Sequence, residues 1–114
     1  MRALQAGDHT LAISCFTRII QVKPDFAEGW NKRATAYYLR GEYRASLDDI
    51  TETLRREPRH FGAFWGQSSI FRQLGEYQRA LLVLERLLIL CPHLPGLNEQ
   101  IFSLREQLEG GGLE

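Results

Sequence analysis

The stretch that decides the reading is GEYRASLDDITETLRREP, Gly41 to Pro58. Thirty-four residues earlier the chain reads GDHTLAISCFTRIIQVKP, Gly7 to Pro24, and 34 residues later GEYQRALLVLERLLILCP, Gly75 to Pro92. The three copies stay in register in five columns: Gly7, Gly41 and Gly75; His9, Tyr43 and Tyr77; Ala12, Ser46 and Ala80; Phe16, Ile50 and Leu84; Pro24, Pro58 and Pro92. A fixed period of this length signals an array of supersecondary units, none of which can bury its apolar face alone.

Glycine and proline punctuate each copy. A glycine tolerates the left-handed conformation that ends a helix, and a proline following each apolar stripe stops the second helix. Between them the apolar spacing is helical: Ala12, Ile13, Phe16, Ile19 and Ile20; then Leu47, Ile50 and Leu54; then Leu81, Leu84, Leu87 and Leu88. The halves before the glycines repeat as well, pairing Trp30 with Phe64, Ala34 with Ser68 and Tyr37 with Phe71. The small residue lets a paired helix approach and the aromatics fill the space beside it. No segment alternates as a strand would. The expected unit is a helix, a glycine turn and a second helix ended by proline, and the fold class is all-α.

These residues resemble the tetratricopeptide repeat. One unit shows Trp30, Ala34, Tyr37, Gly41, Tyr43, Ser46, Ile50 and Pro58, and the next Phe64, Ser68, Phe71, Gly75, Tyr77, Ala80, Leu84 and Pro92. The chain departs from the family pattern where Ser46 and Thr53 replace alanine and where Arg33 and Gln67 replace an apolar residue. The resemblance implies a right-handed superhelix, an α-solenoid of antiparallel helix pairs. Its expected organisation is a partial first repeat (1–26), repeats at 27–60 and 61–94, a capping helix at 95–109, and a flexible tail or expression scar at 110–114. Only MRALQA precedes Gly7, too short for a stable helix, so the chain is expected to be an excerpt of a longer protein. In the cap, Leu94, Leu97, Ile101, Leu104 and Leu108 form one stripe that covers the last repeat. Phe102 beside it either tucks against that repeat or marks a self-association patch.

Composition removes several classes. Apolar residues make up 44% and charged residues 25%, as in globular proteins. Fourteen acidic side chains balance 14 basic ones, against a nucleic-acid binder or a polybasic membrane anchor. No apolar run is long enough to span a bilayer. Cys15 and Cys91 lie two repeats apart, and two buried or half-buried free thiols are expected, which favours a reducing, cytoplasmic location. His60, His93 and Cys91 lack the paired spacing of a zinc site and read as surface turn residues. Asp48 and Asp49 point about 100° apart on a helix, so they read as a solvated face rather than a catalytic pair. No phosphate loop or nucleophile elbow is present. Neither an enzyme nor a cofactor is expected.

The resemblance places a concave peptide-binding surface on the first helices of the pairs. At the matching positions stand Asn31, Lys32, Thr35 and Tyr38, then Trp65, Ser69, Arg72 and Gln73, with Glu28, Glu99, Gln100 and Ser103 extending the wall. Trp65 directly follows Phe64, and one helix cannot bury both neighbours against the same partner, so Trp65 turns toward the groove. Tyr38 follows Tyr37 by the same logic. Aromatics and arginine are the usual binding anchors, and Asn31 and Arg72 can bond a peptide backbone or carboxylate. Some family members bind the C-terminal carboxylate of heat-shock chaperones through a set of lysine, asparagine and arginine positions. Here Lys32 stands at the asparagine position, and Gly62 and Gly66 at the lysine and arginine positions, so chaperone-tail binding is not implied. The expected function is a non-catalytic protein–protein interaction module, an adaptor or scaffold. It is expected to be monomeric with weak self-association through the Phe102 end. The alternative is a structural or self-associating segment of a larger protein.

Overall fold

The computed structural model describes residues 8–113. The MRALQA stub and Gly7 lie outside the described residues, as does Glu114. Among the described residues there are six helices and no strand: α1 (Asp8–Val22), α2 (Ala27–Leu39), α3 (Tyr43–Arg56), α4 (Phe61–Gln73), α5 (Tyr77–Leu90) and α6 (Leu97–Leu113). The all-α expectation holds.

The glycine punctuation does what the spacing predicts. Gly41 and Gly75 adopt φ of +81° and +77°, where a side chain would cost about 1–2 kcal/mol. In each turn two amides fold back onto the ending helix. Gly41 N–H donates to Tyr38 C=O and Glu42 N–H to Tyr37 C=O, both at 2.9 Å. Gly75 donates to Arg72 at 3.0 Å and Glu76 to Phe71 at 2.8 Å. This paired pattern satisfies carbonyls that the helix end leaves open. The prolines act one residue upstream of themselves. Glu57 and Cys91 are forced out of the helical region, to φ −133°, ψ 88° and φ −145°, ψ 80°, because the following proline ring clashes with a helical neighbour.

The chain forms two compact units, Met1–Ala63 and Phe64–Glu114. In the first, α1 packs on α2 and α2 on α3. Its core holds Ile20, Ala27, Ala34, Ala36 and Ile50, together with the buried polar residues Ser46, Asp49 and Thr53. Small residues set the approach: a Cβ at Gly29 would stand 3.3 Å from the Ile19 methyl. The expected apolar stripe of α1 is only partly used. Ile20 is buried, Ala12, Ile13 and Phe16 are half-buried, and Ile19 is exposed. Cys15 is also exposed rather than buried, because it projects from the open side of α1, while Cys91 is half-buried and both thiols are unpaired. His9 is buried, as a packing substitute in the aromatic column would be.

In the second unit α5 packs on α6, and Leu84, Leu87, Leu97, Ile101 and Leu104 form the core. Of the expected capping stripe, Leu97, Ile101 and Leu104 are buried, while Leu94 and Leu108 at its ends are half-buried. The helix limits differ from the expected 95–109. Pro95 and Gly96 form a turn and α6 starts at Leu97, then continues through Gly110 to Leu113. Glycine lowers helix propensity by about 1 kcal/mol but keeps its backbone donor, so it weakens a helix without stopping it as proline does.

Candidate functional site

In the first unit, α2 carries the four positions expected to meet a ligand. Lys32 and Thr35 are exposed, and Asn31 and Tyr38 are half-buried. Thr35 turns its hydroxyl onto the Asn31 carbonyl at 3.2 Å. The Tyr38 ring lies 5.5 Å from the Tyr43 ring at 47°, a tilted pairing that fixes Tyr38 from one side and leaves the rest of the ring open. Glu28, expected on the same wall, is engaged elsewhere. Its carboxylate meets His60 Nε2 at 2.7 Å.

That contact corrects the reading of His60 as a plain surface turn residue. Its Nδ1 accepts the Ala63 backbone N–H at 3.0 Å, so the ring proton sits on Nε2 and donates to Glu28. His60 thus caps the first turn of α4, a role that side-chain acceptors fill at helix N-termini.

Behind this face lies a network that sequence reasoning missed. Asp49 is 3% exposed and not on a solvated face. Arg33 clasps it with Nε to Oδ2 at 2.8 Å and Nη2 to Oδ1 at 2.9 Å, and bonds Thr17 Oγ1 at 3.1 Å. The bidentate fork is the strong form of this pair. The Asp49 hydrogen bond is the chief reason that Arg33 is held above even its ordinary high pKa. Its guanidinium also stands over the Trp30 and Tyr37 rings, at 5.4 and 5.7 Å. Arg56 covers Trp30 at 4.6 Å, and Trp30 and Arg56 both donate to the Pro24 carbonyl, at 2.9 and 2.6 Å. Ser46 Oγ bonds the Ala34 carbonyl at 2.7 Å and Thr53 Oγ1 the Asp49 carbonyl at 2.9 Å. Each polar departure from the repeat pattern in this unit is therefore paired. Read one at a time, Arg33 and Asp49 look like isolated polar departures, and only the packing of α2 on α3 joins them.

In the second unit, α4 presents Trp65, Ser69 and Arg72 at i, i+4 and i+7, all half-buried, and Gln73 exposed beside them. That spacing puts the three on one helical face. Arg72 Nη1 donates to Gln100 Oε1 of α6, so the sequence-expected wall residues Arg72 and Gln100 are brought together and the guanidinium is held from one side. Glu99 and Ser103 are exposed on α6. Phe102 is 63% exposed.

The comparisons with known proteins agree with this architecture. The tetratricopeptide repeat family model matches residues 1–49 and 31–95, and the chain belongs to that family. A TPR repeat-containing protein of Rhizobium etli is 38% identical over 109 residues, 96% of this chain and 53% of that protein. The chain thus spans about half the length of that relative. Among solved structures, the first TPR of Spaghetti (RPAP3) bound to the HSP90 peptide SRMEEVD superposes with a TM-score of 0.83 at 18% identity, over 95% of this chain and 88% of that one. The second TPR domain of human RPAP3, in complex with the HSP70 peptide SGPTIEEVD, gives 0.79 at 23% identity, over 90% and 86%. At these identities the likeness shows the fold, an all-α array of tetratricopeptide helix pairs. Among the described residues no helix is long and apolar enough to cross a membrane.

Proposed function

We propose that this chain is a non-catalytic protein-interaction module in which each unit, taken by itself, offers the open face of one helix to an extended peptide segment of a partner protein. On α4 the anchors are Trp65 and Arg72, with Ser69 and Gln73 beside them. On α2 they are Tyr38 and Asn31, with Lys32 and Thr35 at the edge. The carrying observation is on α4: an accessible tryptophan shares one face with an arginine that Gln100 already orients. Ordering such a side chain before binding removes part of the entropic cost of association, and tryptophan and arginine are the types that dominate binding energy. Similar folds holding chaperone-derived peptides support a peptide as the ligand class. Lys32, Gly62 and Gly66 in place of the expected asparagine, lysine and arginine argue for a segment other than a chaperone tail.

The test is selection of peptides from a random displayed library by the wild-type chain. Affinities are then measured for the wild type and for Trp65→Ala/Arg72→Ala, with helicity checked by circular dichroism. A loss of about tenfold or more in the double variant is expected. Equal affinities would remove the α4 face from the site.

The exposed Phe102 favours a second reading, self-association through the α6 end. Sedimentation of the wild type and of Phe102→Glu over a concentration series decides it: a mass that rises with concentration only in the wild type supports self-association, and a constant monomer mass in both rejects it.

A further inference from the structure

The second unit has an open notch on a different stripe of α4, away from Trp65 and Arg72. Its walls are the Phe64 and Phe71 rings, its floor is Val83 and Gln67, and its volume is about 230 Å³. For scale, a buried apolar cavity of about 150 Å³ accepts benzene. The 34-residue period shows why it is open. In the first unit the equivalent walls are Trp30 and Tyr37, and the space between them is taken by the guanidinium of Arg33, clasped by Asp49. Thirty-four residues on, Arg33 becomes Gln67 and Asp49 becomes Val83. Both the plug and its counter-charge are gone.

The rim has changed with the floor. Asp48 becomes Leu82, Ala45 becomes Arg79 and Glu52 becomes Arg86. An acidic face has turned into an apolar residue, 62% exposed, between two exposed arginines. Arg79 stands over Phe71 at 5.9 Å and makes one exposed contact with Glu76 at 3.4 Å, weak enough to be exchanged for a better partner. Among the described residues Arg86 has no carboxylate within ion-pair distance.

We propose that this notch is a second binding site, for an acidic peptide segment that inserts one aromatic or large aliphatic side chain between Phe64 and Phe71 and sets carboxylates against Arg79 and Arg86. A cation is disfavoured by both arginines. A purely apolar partner leaves the arginines unused, and a purely acidic one leaves the apolar floor wet. Arg79 and Arg86 are seven residues apart on one helix, roughly 10 Å along its axis. An extended peptide rises about 3.3 Å per residue and turns alternate side chains to one face. Acids at i and i+4 therefore flank an inserted side chain at i+2 on the same face, about 13 Å apart and within reach of two long arginine side chains.

The probe is acetyl-Glu-Ala-Phe-Ala-Glu-amide, titrated into the 15N-labelled full chain and followed by amide shifts. Saturable shifts centred on Gln67, Val83 and Arg86 are expected. Replacing both glutamates of the probe by glutamine, or its phenylalanine by alanine, is expected to weaken binding by about tenfold or more. Gln67→Arg/Val83→Asp, which rebuilds the plug of the first unit, is expected to abolish binding. Because that change alters packing, Arg86→Glu on the exposed rim serves as the second variant and is expected to cost about tenfold with helicity retained. No saturable shift at low-millimolar probe, shifts of equal strength with the glutamine probe, shifts centred on Trp65 instead, or unchanged affinity in Arg86→Glu would each overturn the proposal.

Discussion

At one position of the repeat the first unit carries Arg33 and the second Gln67. Around Arg33 the unit is polar inside, with Asp49, Thr53 and Ser46 all buried and all bonded. The matching places in the second unit hold Val83, Leu87 and Ala80, and that layer is hydrocarbon, although Ser68 is buried elsewhere in the unit. One backbone plan therefore tolerates two ways of filling the layer between paired helices. A bonded polar layer depends on every partner being present, because each lost partner strands a buried charge or dipole. A hydrocarbon layer depends on volume. The two units should fail differently when mutated.

The largest contrast is expected at Arg33. Arg33→Ala leaves the Asp49 carboxylate buried without its partner and should cost about 3–5 kcal/mol in a urea melt, while Gln67→Ala should stay within about 0.5 kcal/mol. The sharper version removes both charges: Arg33→Met/Asp49→Leu should recover most of the loss, since replacing a buried pair by packed apolar groups is often neutral or better. If Arg33→Ala and Gln67→Ala cost the same, the polar layer does not set the first unit apart.

Next in size is Leu84→Ala. Leu84 is fully buried, so the change should cost about 2–5 kcal/mol, the range for a core leucine that leaves a cavity. A melting temperature unchanged within error would contradict the helical register itself. That register was legible in the sequence because it rests on local chemistry: only glycine is at ease at φ +81° and +77°, and only proline excludes the preceding residue from a helix. The capping stripe was legible for the same reason, as one helix face read at its own period. The Arg33–Asp49 and Glu28–His60 pairs were not, since their partners are 16 and 32 residues apart and meet only after the helices pack. Periodicity reports what each column needs on average; a charged pair satisfies that need jointly, so each member looks like an isolated departure. For the candidate site, the face of α4 was readable from the adjacent aromatics Phe64 and Trp65. That Gln100 would hold Arg72, and that the Phe64–Phe71 side would be open, depended on packing between helices.

A smaller effect is expected at Ser46, whose counterpart is Ala80. Ser46→Ala removes one buried hydrogen bond to the Ala34 carbonyl, which keeps its helical setting, so about 1 kcal/mol should be lost. A gain in thermal stability would mean that the alanine of the second unit is the better solution in both, and that the serine is a tolerated departure rather than part of a cooperative layer.

The smallest expected effect separates the units by pH. Arg56 hydrogen-bonds Glu52 at 2.7 Å and holds its carboxyl below the usual range. A carboxyl with a depressed folded pKa binds its proton less readily than in the unfolded chain, which titrates near about 4.3. Its stabilising contribution is therefore present above that value and disappears as pH falls through the lower, folded one. The pair is partly solvated, so Glu52→Gln should cost no more than about 0.5 kcal/mol near neutral pH, shrinking toward zero in acid, as followed by urea melts across that range. The second unit carries Arg86 rather than a carboxyl at the counterpart position, so Arg86→Gln should shift stability by the same amount at both ends. A Glu52→Gln difference that persists in acid would show that the side chain acts through packing along α3 rather than through its charge, and the contrast between the units would then rest on Arg33 and Asp49 alone.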